Sequence, residues 1–255
     1  MPSSALIVKL FAAPLLIGAA SMAGRRWGPQ LAGLLGGLPL VAIPIVLALW
    51  LEYGPEYAIK VAGAASAGLW ANVVYMLVLA HASRYFSWLG TIVCGWAAYL
   101  LTALVLVWSG LAMSPIASVG VLAGLWIAIY FIPRPEAINR SSLPKIELYA
   151  RMVAALLLVL ALSSLSLLLG STMTGVLAGF PVAATVIPAF TLANTGRNAL
   201  LLQLRGFLMG LTGFSMFFLV WTPLASHIGL LAFFPALIAA LATGMLVKFL
   251  SHRFH

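Results

Sequence analysis

Two stretches of this sequence match each other at a constant separation of 142 residues, the distance from Gly28 to Gly170. Both stretches contain the spacing Gly-x4-Gly-x3-Gly-x-Pro without a gap. The matched residues are Gly28, Gly33, Gly37 and Pro39 in the first stretch, and Gly170, Gly175, Gly179 and Pro181 in the second. Apolar helical segments resemble each other by composition alone, but glycine and proline are not hydrophobic filler. Their shared register therefore favours an internal duplication, which is frequent in membrane transport proteins.

The composition indicates an integral membrane protein. Hydrophobic residues make up 64% of the chain and charged residues only 7%, which is too apolar for a soluble domain of this length. A membrane-spanning helix needs about 20 residues, and glycine, proline and charged residues separate nine such segments. The predicted helices cover residues 4–24, 29–51, 57–80, 86–108, 114–132, 145–168, 171–193, 198–222 and 228–250.

The repeat divides these helices into two sets of four and one connector. Residues 1–110 form the first four-helix repeat, 111–143 a linker helix with a cytoplasmic loop, and 144–255 the second repeat. Because an even-numbered unit is followed by one extra crossing, the second repeat enters the membrane from the opposite side. We therefore predict an all-α polytopic membrane protein built from two inverted repeats, a 4+1+4 arrangement.

The positively charged residues predict which side of the membrane each loop faces. The formal net charge is +9, and most of the cations fall in loops on one side of the predicted helices or in the tail. These are Arg25, Arg26, Arg84, Arg134, Arg140, Lys145, Arg197, Lys248 and Arg253. Since cytoplasmic loops carry such an excess, we predict a multi-pass protein of the cell inner membrane, with the N-terminus outside and the C-terminus in the cytoplasm. The charge is then a topology signal, and we expect no binding to nucleic acid.

The repeated motif resembles a family of small membrane proteins. Its segments are Ala32-Gly33-Leu34, Pro39 and Glu52-Tyr53-Gly54 in the first copy, and Thr174-Gly175-Val176, Pro181 and Asn194-Thr195-Gly196 in the second. They are similar to the second helix of GlpM-like four-helix membrane proteins. The resemblance implies a polytopic inner-membrane protein. It implies no particular reaction or substrate. This chain departs from the family by being a fused duplicate with a connector, and by placing amides in the second copy where the first has acids.

Each copy has a stripe of small residues followed by prolines. The residues are Gly33, Gly37, Pro39 and Pro44 in the first copy, and Gly175, Gly179, Pro181 and Pro188 in the second. Glycines four residues apart let another helix approach closely, and proline removes a backbone hydrogen bond and frees a carbonyl. Two interpretations stay open. One is tight packing with a kink, and the other is a discontinuous helix whose backbone groups bind a substrate.

Acidic residues are rare in this chain, which has four in total. Glu52 and Glu56 flank the Tyr53-Gly54-Pro55 turn, at the predicted outer end of the second helix. Their counterparts in the second copy are Asn194 and Asn198. We predict that the two acids exchange protons with the medium and couple proton movement to transport. The alternative is that they are solvated loop residues without such a role.

Several polar residues within the predicted helices are candidates for binding a substrate. Lys9 and Arg151 occupy matched positions of the two copies, and Lys60 and Arg205 lie near the starts of the third and eighth helices. These four either extend to the membrane surface, as long basic side chains often do, or attract anionic groups into a central cavity. The neutral candidates, which either bind a substrate or join helices by hydrogen bonds, are Gln203, Asn72, Tyr75 and Asn194.

These observations favour a secondary transporter that moves a small organic solute by alternating access between the inverted repeats. Whether the solute is anionic and whether transport is proton-coupled stay open. The alternatives are a lipid flippase, a non-catalytic accessory or scaffold protein, and a passive channel. The chain lacks aspartate and a His-Glu-x-x-His motif, so we predict no enzyme, no catalytic residue, no metal site and no cofactor. The expected partners are the lipid bilayer and the solute, and a homodimer is left open.

Overall fold

The computed structural model describes residues 4–39, 42–111, 114–136, 147–161 and 180–253. Within these ranges the chain is helical apart from short connections, and no strand occurs, which confirms the all-α prediction. The helices are α1 (Ser4–Trp27), α2 (Pro29–Gly37), α3 (Ala42–Tyr53), α4 (Pro55–Ala82), α5 (Trp88–Trp108), α6 (Pro115–Phe131), α7 (147–161), α8 (Val182–Asn194), α9 (Arg197–Ile228) and α10 (Phe233–Arg253), with a 3-10 turn (Gly229–Ala232) between the last two.

The helix predicted at residues 29–51 is interrupted in the structure. α2 ends at Gly37, and Leu38 has an extended backbone with φ −70° and ψ 156°. The next described helix, α3, covers Ala42–Tyr53. Pro39 explains the break, because the ring of a proline pushes the preceding residue out of the helical region and supplies no N–H to the helix.

Two glycines precede the two long helices α4 and α9 in the same way. Gly54 has φ 85° and Gly196 has φ 94°. A positive φ is strained for a residue with a side chain, so glycine is favoured at both turns. The two positions are 142 residues apart, as the predicted repeat requires. The duplication itself stays a prediction, because two matching turns do not establish a common origin.

Three parts of the described chain are long and apolar enough to cross a membrane, namely Pro55–Ala82, Trp88–Trp108 and Arg197–Val247. Pro115–Phe131 and Val182–Asn194 are apolar but shorter. These helices are compatible with a membrane location. The number of crossings and the sides of the two termini stay predictions.

The last of these three parts folds back on itself. Its 51 residues comprise α9, the 3-10 turn and most of α10, and the turn begins at Gly229 with φ 61°. Phe233 at the start of α10 packs against Phe217 and Trp221 of α9, with ring centroids 5.9 and 5.2 Å apart. The segment is therefore a helical hairpin with two legs, not one straight helix of about 75 Å.

α9 is the central helix of the described fold. It packs against α2, α4, α6, α8 and α10, and most of its side chains are buried. A helix that is buried on all sides is expected to be apolar. Nevertheless Gln203, Arg205, Thr212 and Ser215 of α9 are buried too. These four polar residues therefore depart from what is expected of a buried helix.

Candidate functional site

α2 and α9 cross with their backbones in contact. The contact is made by four glycines, Gly33, Gly37, Gly206 and Gly210. A Cβ atom added at Gly33 would collide with the backbone carbonyl of Gln203, and one added at Gly206 would collide with that of Gln30. Small residues at such positions let two helices approach closely in a membrane. This crossing supports the packing interpretation of the first glycine stripe.

The sequence prediction identified Gly33 and Gly37 but missed their partner on α9. Gly206 and Gly210 have the same four-residue spacing, so a search for a second glycine pair in another predicted helix would have found them. Gly175 and Gly179, the stripe of the second copy, lie outside the described residues.

The break before Pro39 separates α2 from α3, which share α1 as a neighbour but otherwise pack against different helices. The Leu38 side chain at the end of α2 lies 3.2 Å from the Cβ position of Gly213 in α9. α3, which contains Pro44 near its start, packs instead against α1 and α4. α8 begins directly after Pro181, the residue that the predicted repeat matches to Pro39. The helix predicted at residues 29–51 is thus discontinuous at Pro39. Discontinuity was one of the two interpretations of this proline in the sequence.

Pro188 lies inside α8 and leaves one carbonyl of that helix without its usual partner. A residue at position 188 would normally donate its N–H to the carbonyl of Ala184, but proline has no N–H. The Tyr75 hydroxyl of α4 donates to that Ala184 oxygen at 3.0 Å. Tyr75 is fully buried, so its hydroxyl replaces the missing helix hydrogen bond inside the protein.

Tyr75 also belongs to a hydrogen-bond chain across three helices. The Trp96 Nε1 atom of α5 donates to Thr185 Oγ1 of α8 at 3.2 Å, and the Thr185 and Tyr75 hydroxyls are 3.0 Å apart. Because Tyr75 uses its proton on the Ala184 carbonyl, Thr185 is the donor in this last pair. Tyr75, predicted to bind a substrate, therefore joins α4, α5 and α8 in this structure. Its role in binding stays a prediction.

Arg151 of α7 is buried with 2% of its surface exposed, and it contacts three helices. Its Nε and Nη2 atoms donate to the Glu147 carboxylate at 3.0 and 2.6 Å. Its guanidinium also approaches the Ser21 hydroxyl of α1 at 3.5 Å and the Thr191 hydroxyl of α8 at 3.4 Å. The Phe190 ring centroid lies 5.7 Å away. This cluster joins the end of α1 to α7 and α8.

The pairing with Glu147 changes the role expected of Arg151. Its positive charge is neutralised by a carboxylate one helical turn away, so an anionic substrate would have to compete with Glu147 for the guanidinium. The sequence analysis considered Arg151 without Glu147 and missed the pair. Four residues on one helix is the spacing at which opposite charges meet, so the signal was present.

Arg205 of α9 is buried with 7% of its surface exposed, and it reaches the end of α6. Its Nη2 atom donates to the carbonyl oxygen of Ile132 at 3.0 Å, and Ile132 directly follows the last helical residue of α6. The last carbonyls of a helix lack partners within the helix and carry a partial negative charge. A cation there is favourable, so Arg205 caps α6 from a neighbouring helix.

Gln203 and Arg205 lie two residues apart on α9 and face different sides of it, because such residues are about 200° apart around a helix. Gln203 is 1% exposed, and its Oε1 atom has no hydrogen-bond partner among the described residues. Buried polar atoms are nearly always paired. This amide oxygen is therefore a position at which a donor group of a ligand would be stabilised.

The remaining predicted residues lie away from these clusters. Asn72 is buried in α4, whereas Lys60, Glu52, Glu56 and Asn194 are exposed at or near helix ends. Lys9 lies in α1, but its side chain is outside the described part of the structure. Because Lys60 and Asn194 are exposed, they do not line the interior of the fold. Glu52 and Glu56 are exposed as well and therefore face the medium.

The search for metal-binding groups covered only the described part of the chain. There, no three His, Cys, Asp or Glu side chains come together in a way that could hold a metal ion. No family model, no curated protein and no solved structure matches this chain. The resemblance to GlpM-like proteins therefore stays a prediction that rests on its short motif.

Proposed function

We propose that the protein is a secondary transporter that moves a small organic solute by alternating access between its two halves. The observation that carries this proposal is the discontinuous helix α2–α3, whose first part packs directly beside Gln203 of the buried polar helix α9. Transporters use interrupted helices of this kind to offer backbone groups to a substrate near the middle of the membrane.

Burial of Arg205 is the second support. A charged side chain within a membrane helix costs up to about 2.5–3.5 kcal/mol at the helix centre, and less toward the ends, whereas a leucine would fill the same space without that cost. Such residues therefore indicate a substrate or ion pathway unless they serve another purpose. Capping α6 is one such purpose for Arg205, so the proposal needs the functional test below.

The contacts indicate which parts would move together. α2 is held against α9 by glycine packing, α3 packs against α4, and α1 contacts both α2 and α3. The extended backbone at Leu38 connects the two groups. We infer that the halves rearrange about this break, with α2 following α9 and α3 following α4.

Proton coupling is a further part of the proposal. Glu52 and Glu56 are exposed on either side of the Gly54 turn between α3 and α4. A proton taken up at this turn would act on the end of α3, one of the elements that we infer to move. If coupling operates, an imposed pH gradient drives solute uptake, and Glu52→Gln together with Glu56→Gln abolishes the dependence on that gradient.

A membrane scaffold is the strongest alternative, because specific contacts favour it. The glycine crossing of α2 and α9 is close, and the Arg151–Glu147 pair joins three helices without leaving the charge open to a solute. A lipid flippase and a passive channel are further alternatives, and both would move material without the saturable exchange of a transporter.

The test begins with the purified protein in detergent, screened by thermal unfolding against small organic acids, amino acids and amines. Solutes that raise the unfolding temperature are then loaded into proteoliposomes for uptake with and without counterflow. A transporter gives saturable uptake that is accelerated by unlabelled solute on the opposite side. Arg205→Gln removes the buried charge, and Arg84→Gln removes a charge from the exposed α4–α5 connection as a matched control.

Three results would contradict the proposal. Uptake that rises linearly with solute concentration indicates a channel, and movement of labelled phospholipid between leaflets indicates a flippase. If the folded protein neither binds nor moves a solute, and the Arg205→Gln and Arg84→Gln variants behave in the same way, the protein is a scaffold.

A further inference from the structure

α2 and α9 share one spacing of a glutamine and two glycines, Gln-x2-Gly-x3-Gly. The residues are Gln30, Gly33 and Gly37 on α2, and Gln203, Gly206 and Gly210 on α9. Residues three and seven positions apart lie on the same face of a helix. Because the glycines form the contact between the two helices, both glutamines lie on the contacting faces.

The backbone contacts bring the two glutamines to the same crossing. The carbonyl of Gln203 lies against Gly33, and the carbonyl of Gln30 lies against Gly206. Each glutamine is therefore beside the glycine that follows the other glutamine by one helical turn. Gln203 is buried, whereas Gln30 is half-buried at the start of α2. One amide of the pair is thus inside the fold, and the other is nearer to its surface.

The hydrogen bonding of these two amides is incomplete. Gln203 Oε1 has no partner among the described residues, although buried polar atoms are nearly always paired. Gln30 Nε2 donates to the Met209 sulfur at 3.6 Å, and a thioether is a weak acceptor. An unused acceptor and a poorly used donor therefore occur together at the crossing of α2 and α9.

The chemistry of the crossing distinguishes between classes of ligand. Neither α2 nor α9 contains an acidic residue, so these helices offer a buried cation no counter-charge, which makes its burial costly. A carboxylate has no hydrogen to donate to Gln203 Oε1. An uncharged group that carries both a donor and an acceptor matches both amides.

We propose that Gln30 and Gln203 bind an uncharged carboxamide group of the solute. This inference rests on the proposed function, for which it names the chemical class of the solute. The carboxamide N–H donates to Gln203 Oε1, and the carboxamide oxygen accepts from Gln30 Nε2 in place of the Met209 sulfur. The sequence analysis considered Gln203 as a binding residue but missed Gln30, which only the helix crossing brings to it.

The experiment measures the unfolding temperature of the purified protein in detergent with three probes of nearly equal size. Propionamide is uncharged, propionate is an anion and propylammonium is a cation, and all are compared at the same ionic strength. We expect saturable stabilisation by propionamide alone. One hydrogen bond in a buried site changes affinity by about tenfold. Gln203→Met keeps the length of the side chain without its amide and should raise the apparent dissociation constant by that factor.

Three comparisons separate binding from folding. Without a probe, Gln203→Met should unfold at the same temperature as the unaltered protein or at a higher one, because a buried oxygen without a partner is removed. Gln30→Met removes the donor and should weaken propionamide binding as well. Asn198→Leu removes an amide from α9 five residues before Gln203, on another face of the helix, and should bind propionamide as the unaltered protein does.

The outcomes distinguish the site from the transport activity. Equal shifts with all three probes, or an unchanged dissociation constant in Gln203→Met, overturn the carboxamide site even if solute uptake is observed. A Gln203→Met protein that unfolds at a lower temperature without a probe also overturns it, because the amide then has a structural role. Propionamide binding that depends on Gln203, without any solute uptake, supports the site and contradicts the transporter.

Discussion

Pro188 removes one hydrogen bond from α8, and Tyr75 of another helix replaces it. The sequence analysis expected proline to free a carbonyl in this helix, because the missing N–H is a property of the residue itself. It predicted a substrate role for Tyr75 from polarity alone. Only the fold shows that the Tyr75 hydroxyl lies 3.0 Å from the freed Ala184 oxygen.

The first prediction concerns this hydrogen bond. We expect Tyr75→Phe to lower the free energy of unfolding by about 1 kcal/mol, since the Ala184 carbonyl then lacks a donor within a buried site. The measurement is unfolding by denaturing detergent in mixed micelles. Tyr99→Phe is the matched control. Tyr99 is also buried, but its hydroxyl forms no hydrogen bond with another described residue.

A second substitution sharpens this test. Pro188→Ala restores an N–H that can donate to the Ala184 carbonyl within α8, so Tyr75→Phe should cost clearly less in that background. Equal costs of Tyr75→Phe in both backgrounds would show that the proline and the tyrosine are not coupled.

The second prediction concerns the buried pair of Arg151 and Glu147. Glu147→Gln leaves a buried guanidinium without its carboxylate and should destabilise the fold by about 3–5 kcal/mol. Replacing both residues, with Arg151→Met and Glu147→Leu, should cost much less because no charge stays buried. Glu136→Gln, at an exposed position, serves as the control in the same unfolding assay. A double variant less stable than Glu147→Gln alone would contradict this account.

Among the elements, α9 determines the arrangement of its neighbours. Its hydrophobic length predicted a membrane helix, but the prediction ended it at residue 222, whereas the structure continues it to Ile228. Pro223 lies inside the helix, where the sequence suggested a break. The hairpin contacts of Phe233 with Phe217 and Trp221 stabilise this last turn, which local sequence could not indicate.

The third prediction concerns the glycine crossing of α2 and α9. In Gly206→Ala the added methyl group collides with the Gln30 carbonyl, and because backbone cannot rotate away, the helices must separate. We expect a loss of about 1–3 kcal/mol of stability. At Gly244 of α10 a Cβ atom meets no described atom within 4 Å, so Gly244→Ala should be neutral or stabilise by about 0.5–1 kcal/mol.

Unfolding in mixed micelles compares the two variants directly, and opposite signs are the expected result. A Gly206→Ala protein as stable as Gly244→Ala would mean that α2 and α9 do not touch at these glycines.

For the whole molecule, the contacts agree in one respect with the predicted direction of the helices. Arg151 near the start of α7 meets Ser21 near the end of α1 and Thr191 near the end of α8. The predicted topology places all three helix ends on the cytoplasmic side. The same holds for Arg205 and the end of α6. The topology stays a prediction, because contacts within a protein do not show which side faces the cytoplasm.

The fourth prediction tests this topology by labelling single cysteines. In a Cys94→Ser background, Ser87→Cys, Ser109→Cys and Ser226→Cys each place one thiol at a connection between helices or near a helix end. A maleimide that does not cross membranes should label positions 109 and 226 in intact spheroplasts, and position 87 only after permeabilisation. Labelling of position 87 from outside would reverse the predicted orientation.

The sequence alone determined the helical class and indicated the chain breaks at Gly54 and Gly196, because both depend on local chemistry; the break at Pro39 was one of two interpretations that it left open. Apolar runs form helices in a membrane, and proline and glycine restrict or extend the backbone angles wherever they occur. The tertiary structure decided the partners of the polar residues, since these depend on which helices meet. Lys60, Arg151 and Arg205 looked alike in sequence, yet Lys60 is exposed, Arg151 is paired with Glu147, and Arg205 donates to the Ile132 carbonyl at the end of α6.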